Sequence, residues 1–384
     1  MIFYAQICLA RPKPVTFNHI LLLFSPEAAF SGAMRGLKLW AMTLLPSLLP
    51  FLILSELLLS SNIVYQLGRL LEPVMRPLFH LPGVCAFALA LGFTSGFPMG
   101  ASASASLARE NLCTKKEAAR LAAFTNNSSP LFILSAVAVG MLSRADVGII
   151  LLIAHYGANL ILGVLLGFLA NEDISARRLS LPPSAEPSSI WQSLTKAVKH
   201  GTAAIINIGG FVTLFSVIVA LGEKIGLFAL TNQFFAFLLR VLGLAAEGQS
   251  ALSYGLFEMT LGVNEMSSAA APFLLKLAII SFIMGWGGLS VQAQVCAILA
   301  EEGISTKYFL LLRPLQAILS SLLVIVLFHF FASKSVTAGS FFNAYISSSP
   351  LVSSVFITLL PLFILLGSIV FIFIFRLGYK LLWK

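Results

Sequence analysis

The stretch Gly92-Phe93-Thr94-Ser95-Gly96-Phe97-Pro98-Met99-Gly100 decides how this chain is read. It lies in the middle of an otherwise apolar segment, Val84 to Ala108, long enough to enter a bilayer. Glycine, proline and two hydroxyl residues interrupt that segment, and such breaks are costly at membrane depth unless protein encloses them. A second polar patch, Thr260-Leu261-Gly262-Val263-Asn264-Glu265, opens about 166 residues after Thr94, inside the apolar segment Ala251 to Leu275. Each patch is followed by another interrupted apolar stretch. In the first half this is Thr125-Asn126-Asn127-Ser128-Ser129-Pro130, and in the second Trp286-Gly287-Gly288-Leu289-Ser290-Val291-Gln292. Two matching pairs of breaks predict a duplicated architecture whose functional groups lie near the bilayer middle.

Composition fixes the class. Of 384 residues, 58% are hydrophobic and only 10% charged, against roughly 25% charged in a soluble domain. Repeated apolar runs of helical length predict an all-α polytopic membrane protein, and the short alternating segments of a β-barrel are missing. The net charge of +9 falls in short loops, as orientation in a membrane requires, and does not predict nucleic-acid binding. Cys8, Cys85, Cys113 and Cys296 stand singly, and the histidines have no two-His metal spacing, so no metal or resident cofactor is expected. No nucleophile–base constellation is visible either, and catalysis is not expected. Arg11, Pro12, Lys13 and Pro14 interrupt the first apolar run, so no clean signal peptide is read there.

The segments follow in order. Residues 1–34 form an N-terminal piece whose span at 17–34 is poor. A first repeat over 35–170 holds a span (Leu37 to Ser60, bent by Pro46 and Pro50), an interfacial amphipathic helix (Ile63 to Leu81), the broken segment 84–108, a broken helix 120–142 and a clean span 147–169. Residues 171–200, rich in Pro, Ser and Arg, read as a hydrophilic cytoplasmic linker. The order then recurs over 201–332: a span, a mixed helix (Ile225 to Leu244), the broken segment 251–275, a broken helix 276–299 and a span 308–331. Residues 333–384 add a C-terminal span.

Val84–Ala108 is predicted to turn back as a re-entrant hairpin. A half-helix of 12 residues reaches about 18 Å, a little past mid-bilayer. Ser95 suits an N-cap, Pro98 a first turn, and in the second copy Gly262 suits the turn and Asn264 the cap. Turning back places Arg69, Arg76, Arg109, Lys115, Lys116, Arg120, Arg177, Arg178, Lys196 and Lys199 on one face and Arg144 alone on the other. One span separates the copies, so the second is inverted relative to the first. Two hairpins and two broken helices would then present four half-helix N-termini to one site.

Such a site favours an anionic or strongly polar small molecule. Its candidate substrate-binding residues are Thr94, Ser95, Gly96, Phe97, Thr125, Asn126, Asn127, Ser128, Asn264, Trp286, Gly287, Gly288 and Ser290. Glu258 and Glu265 flank the second tip and are candidates to bind a coupling ion, H⁺ or Na⁺; Glu265 can equally complement its own helix dipole. Phe97 and Trp286 can stack on an aromatic substrate or simply pack. Gly92, Gly96 and Gly100 allow close helix approach. His155 reads as a hydrogen-bonded structural residue or a proton relay. Membrane lipid and a small anionic substrate are the expected partners, and a homo-oligomer is left open.

The run Gly92 to Ala101 resembles the signature of the YlbJ-type sporulation integral membrane proteins. So do Lys116 to Leu121, Phe124 to Ile133, His155-Tyr156, Gly36 to Trp40 and Leu45 to Phe51. The resemblance covers roughly residues 32 to 332. That family belongs to the wider nucleoside-recognition or gate-domain group. The resemblance implies kinship with concentrative nucleoside transporters, which combine two re-entrant hairpins with two unwound helices. It also implies a multi-pass protein of the bacterial cell membrane, here the outer forespore membrane, that takes dipicolinate into the forespore during sporulation. A nucleoside-type carrier and a non-transporting scaffold or gate subunit are the alternatives.

Overall fold

The computed structural model describes residues 25–59, 63–130, 132–170, 190–244 and 246–332. Residues 1–24, most of the 171–200 linker and the expected C-terminal span lie outside them. The described chain is helical throughout, without strands. Its helices are α1 (Pro26–Leu39), α2 (Leu45–Leu59), α3 (Ile63–Phe79), α4 (Ala86–Ser95), α5 (Met99–Arg109), α6 (Lys115–Thr125) and α7 (Gly148–Phe168). They continue with α8 (Ile190–Lys224), α9 (Leu227–Val241), α10 (Gln249–Phe257), α11 (Met259–Ser268), α12 (Phe273–Trp286), α13 (Gly288–Glu301) and α14 (Lys307–Ala332). A π-wound segment, Phe132–Met141, follows α6. Among the described residues, Ala145–Phe168, Trp191–Lys224, Phe273–Glu301 and Lys307–Phe330 are long and apolar enough to cross a membrane. The protein is a polytopic membrane protein.

Local sequence explains several boundaries. Between α1 and α2 the helix widens into π geometry over Trp40–Leu44, directly before Pro46. A proline ring clashes with the carbonyl four residues back, and wider winding accommodates it. α6 opens on a reciprocal cap: Thr114 Oγ1 accepts the Glu117 N–H at 3.1 Å, and Glu117 Oε2 accepts the Thr114 N–H at 2.7 Å. The amphipathic α3 ends with Arg76 bonded to Glu72. The chain then bends by 93° between Arg69–Phe79 and Gly83–Ser95.

The element order repeats. A long helix of about 34 residues (α1–α2, or α8) precedes a shorter helix (α3, or α9) and a 3₁₀ turn (Gly83–Cys85, or Ala246–Gly248). Two short helices, an interrupted helix and a long apolar helix complete each copy. The two long helices that open the copies pack antiparallel. A Cβ at Gly32 would lie 2.8 Å from the Ser216 carbonyl, and one at Gly36 2.7 Å from Thr213 Cα. The Trp40 indole donates to the Ile205 carbonyl at 2.9 Å, and Glu56 meets His200 at 3.2 Å.

Both pairs of short helices fold back on themselves. α4 and α5 flank α6: Arg120 donates to the His80 carbonyl at 2.9 Å, while Gly92 and Gly100 both close on the Thr125 carbonyl. α10 and α11 are joined near their outer ends by the Ser250 hydroxyl donating to Glu265 at 2.8 Å, and nearer the turn by contact of Gly255 with Gly262.

Several sequence expectations are corrected here. The second fold-back turns at Glu258, not at Gly262-Asn264. Gly262 is helical because the bare backbone of Gly255 packs against it, and Asn264 is an exposed mid-helix residue that caps nothing. Ser95 is not an N-cap but the last residue of α4, because Gly96 takes φ 85°, open to glycine, and reverses the chain itself. The linker expected to reach residue 200 ends by Ile190, where α8 begins and runs without interruption into the span. Helix already starts at Pro26, within the expected N-terminal piece, and the segment expected to end at Leu275 yields to α12 at Phe273.

The glycine contact gives a test. Gly262→Leu would place a Cβ 2.7 Å from the Ala251 carbonyl, forcing α10 and α11 apart; overpacking of this kind costs about 1–3 kcal/mol. The thermal midpoint of the detergent-solubilised protein should fall by several degrees. Gly210→Ala, which meets nothing within 4 Å, should leave the midpoint unchanged or raise it.

Candidate functional site

The helix interruptions meet in a closed ring. A Cβ at Gly96 would lie 2.7 Å from the Ser129 N–H nitrogen. The Ser128 hydroxyl sits 3.4 Å from Met259 Sδ. A Cβ at Gly288 would lie 3.0 Å from Met259 N and 3.1 Å from the Phe257 carbonyl, and one at Gly287 3.5 Å from the Phe97 ring. Each interruption therefore touches two others. The C-terminal ends of α4, α6, α10 and α12 converge there, with the N-terminal ends of α5, the Phe132–Met141 segment, α11 and α13.

Each break is held by its own chemistry. At the first interrupted helix, Asn126 Oδ1 accepts the Ala101 N–H at 3.0 Å while its Nδ2 donates to the Ala122 carbonyl at 2.6 Å. One amide thus satisfies a freed carbonyl of α6 and an orphan N–H of α5. His155 Nε2 accepts the Ser128 N–H at 3.1 Å, which fixes a neutral ring. The Tyr156 hydroxyl donates to the Phe93 carbonyl at 2.7 Å and lies 3.1 Å from the Ser128 carbonyl. At the second interrupted helix, Gly287 and Gly288 both take positive φ, 78° and 75°. The Trp286 indole donates to the Leu256 carbonyl at 3.1 Å. Glu258 caps α11, its Oε2 accepting the Leu261 N–H at 2.7 Å.

The ring brings together Ser95, Gly96, Phe97, Thr125, Asn126, Asn127, Ser128, Glu258, Trp286, Gly287 and Gly288. Ser290 is buried in the first turn of α13. Thr94 is turned back to its own helix, donating to the Ala90 carbonyl at 2.8 Å. Asn264 and Glu265 lie along α11, away from the ring; Glu265 serves Ser250. The Ser95 hydroxyl and Asn127 Oδ1 are buried with no hydrogen-bond partner.

A curated protein of Bacillus subtilis strain 168, the sporulation integral membrane protein YlbJ, is 40% identical over 318 residues, covering 79% of this chain and 78% of that protein. The chain belongs to the YlbJ family. A family model described as Gate, nucleoside recognition, matches residues 41–145. In this member of the YlbJ family those residues hold α2 to α6, the first fold-back and the first interrupted helix. No solved structure matches.

Arg313 is the residue that sequence reasoning passed over. It lies in α14, in a span read as clean, and is 0% exposed. Its guanidinium crosses from the second copy to the first, donating to the Ala123 carbonyl at 2.9 Å and the Asn126 carbonyl at 3.1 Å. A cation there complements the C-terminal end of α6. The available signal was one arginine within an otherwise apolar span, which marks function by default.

A cavity of about 490 Å³ lies beside the ring rather than in it, between α2, α5, α8 and α13. Ser102, Ser106, Asn207 and Gln294 line it, and none of the predicted site residues does. Its charged end is tied by Arg109, which meets Glu56 at 3.3 Å and Glu302 at 3.5 Å. Both α5 and α13 start at the ring and run along this cavity.

The hydrogen-bond pattern separates structural from free groups. His155→Phe leaves the Ser128 N–H buried without an acceptor, at a cost of about 1–3 kcal/mol, and should lower the thermal midpoint by several degrees. Ser95→Ala removes a hydroxyl that bonds nothing and should leave the midpoint unchanged. Differential scanning fluorimetry of both variants checks the pair.

Proposed function

We propose that this YlbJ-family protein is a secondary carrier of a small anionic or polar metabolite, with its substrate held at the ring of helix interruptions. The observation that carries the reading is that ring: four interruptions, far apart in sequence, touching in a closed cycle. Soluble packing has no need of helix ends buried at the centre, whereas a midplane site uses them. Glu258, Asn126 and Ser129 each accept one N–H at these helix ends, and the other first-turn N–H groups are the donors proposed for an anion. Ser95 and Asn127 supply free polar atoms.

The finer architecture goes with this function. Residues 84–108 and α10–α11 are proposed as re-entrant hairpins inserted from opposite sides. The antiparallel packing of the long helices supports an inverted repeat, and the two fold-backs turn at the ring. Glu258, at the second tip, is the proposed coupling carboxylate for H⁺ or Na⁺. The cavity reached past Arg109 is the proposed approach to the ring.

The resemblance read in the sequence makes dipicolinate, taken up across the outer forespore membrane, the first substrate to try. The Gate match over 41–145 favours a nucleoside as the second. Protein reconstituted in liposomes should take up one of them saturably. Ser95→Ala should reduce that uptake at least several-fold without loss of fold, and Glu258→Gln should remove its dependence on the ion gradient. Saturable uptake of neither compound by folded protein would reject the carrier reading. Single cysteines at positions 69 and 109 should label from the same side of the membrane; labelling from opposite sides would exclude the first hairpin.

A further inference from the structure

We propose that Arg313 and Gln316 form an anion-binding pair in the protein interior, filled by a carboxylate of the transported substrate. The inference rests on the carrier reading and names the part of the substrate that this site would recognise.

The two residues lie three apart on α14 and share a face. Both are 0% exposed. Arg313 spends its terminal nitrogens on neutral acceptors, the Ala123 and Asn126 carbonyls, with Asn159 Oδ1 at 3.5 Å. Its guanidinium lies over the Phe309 ring, 4.8 Å from the centroid. No carboxylate balances it among the described residues. Its Nε–H has no partner, and neither does either amide atom of Gln316.

A purely structural role accounts for half of this. Clamping α6 explains the terminal nitrogens of Arg313, but not the idle Nε–H or the idle amide one turn further on. A buried amide with neither atom bonded is costly and gives the fold nothing. An unbalanced guanidinium at membrane depth is costlier still. Arg313 Nε–H and Gln316 Nε2–H₂ are donors on one helix face, and a carboxylate supplies the acceptors and the charge they lack. The location fits a substrate at the ring. Arg313 bonds Asn126 of the first interruption, and a Cβ at Gly285, just before the second, would lie 3.1 Å from the Gln316 carbonyl carbon and 2.7 Å from Ala317 Cα.

Gln316→Leu separates the explanations, because it removes only groups that bond nothing in the fold. Thermal shift of the full-length protein in detergent would be measured with pyridine-2,6-dicarboxylate, its neutral diamide and chloride. The dicarboxylate should stabilise the wild type and the diamide should not. Gln316→Leu should keep or raise the unliganded midpoint, lose the dicarboxylate shift and raise the KM for uptake at least tenfold. Arg313→Lys, which keeps charge but not the planar fork, should weaken dicarboxylate binding similarly. A wild-type shift retained in Gln316→Leu overturns the proposal. So does a lowered unliganded midpoint, which would mean that Gln316 is bonded through a structural water. Stabilisation by chloride alone overturns the carboxylate assignment. A Gln316-dependent dicarboxylate shift without liposome uptake would unseat the carrier reading and leave the anion pair standing.

Discussion

Backbone groups freed by an interrupted helix have no water to turn to at the centre of a membrane protein. That constraint governs the arrangement seen here. Every break in the ring is answered by a side chain or by a glycine. Asn126 serves α5 and α6 at once, His155 serves Ser128, Tyr156 serves Phe93, and Arg313 serves the end of α6. The second break relies on paired left-handed glycines and the Glu258 cap instead. The first copy needs Arg313 from the second.

The distribution of what is left unanswered is as informative. A fold under pressure to satisfy every buried polar atom still leaves Ser95 Oγ and Asn127 Oδ1 idle at the ring, and Gln316 idle behind it. Asn126 and Ser128 on the same breaks are bonded, while His155 Nδ1 and single atoms of Arg120, Thr213, Asn232 and Ser253 also lack partners. Ring closure by Phe97 on Gly287 and Ser128 on Met259 leaves little room between the breaks, while the cavity lies outside, along α5 and α13.

Much of this was legible in the sequence because breaks in apolar segments are conspicuous. Gly96-Phe97-Pro98, Asn126 to Ser129 and Gly287-Gly288 were each visible as a polar or glycine interruption, and each is a break in the fold. The turn between α10 and α11 was misplaced for a physical reason. Gly262 and Asn264 look like turn residues, but Gly262 is a packing glycine against Gly255, and the residue that ends α10 is an acid, Glu258. Turn propensity could not distinguish a glycine chosen for closeness from one chosen for φ. Arg313 was missed because its span reads as a clean membrane segment, and the carbonyls it serves lie 187 and 190 residues away in sequence. Pattern within a segment does not report contacts between segments.

The charges at the breaks allow one further step. Glu258 caps an N-terminal helix end, and Arg313 lies against a C-terminal one, so each charge is opposed by a helix dipole worth about half an elementary charge. The two breaks thus carry ionisable groups of opposite type, a carboxyl at the second tip and a guanidinium behind the first interruption. A site polarised in this way suits two ligands of opposite sign better than one. Under the proposed carrier function, an anionic metabolite near Arg313 and a cation near Glu258 would each lower the cost of burying the other, which is the electrostatic basis that the proposal gives for coupling.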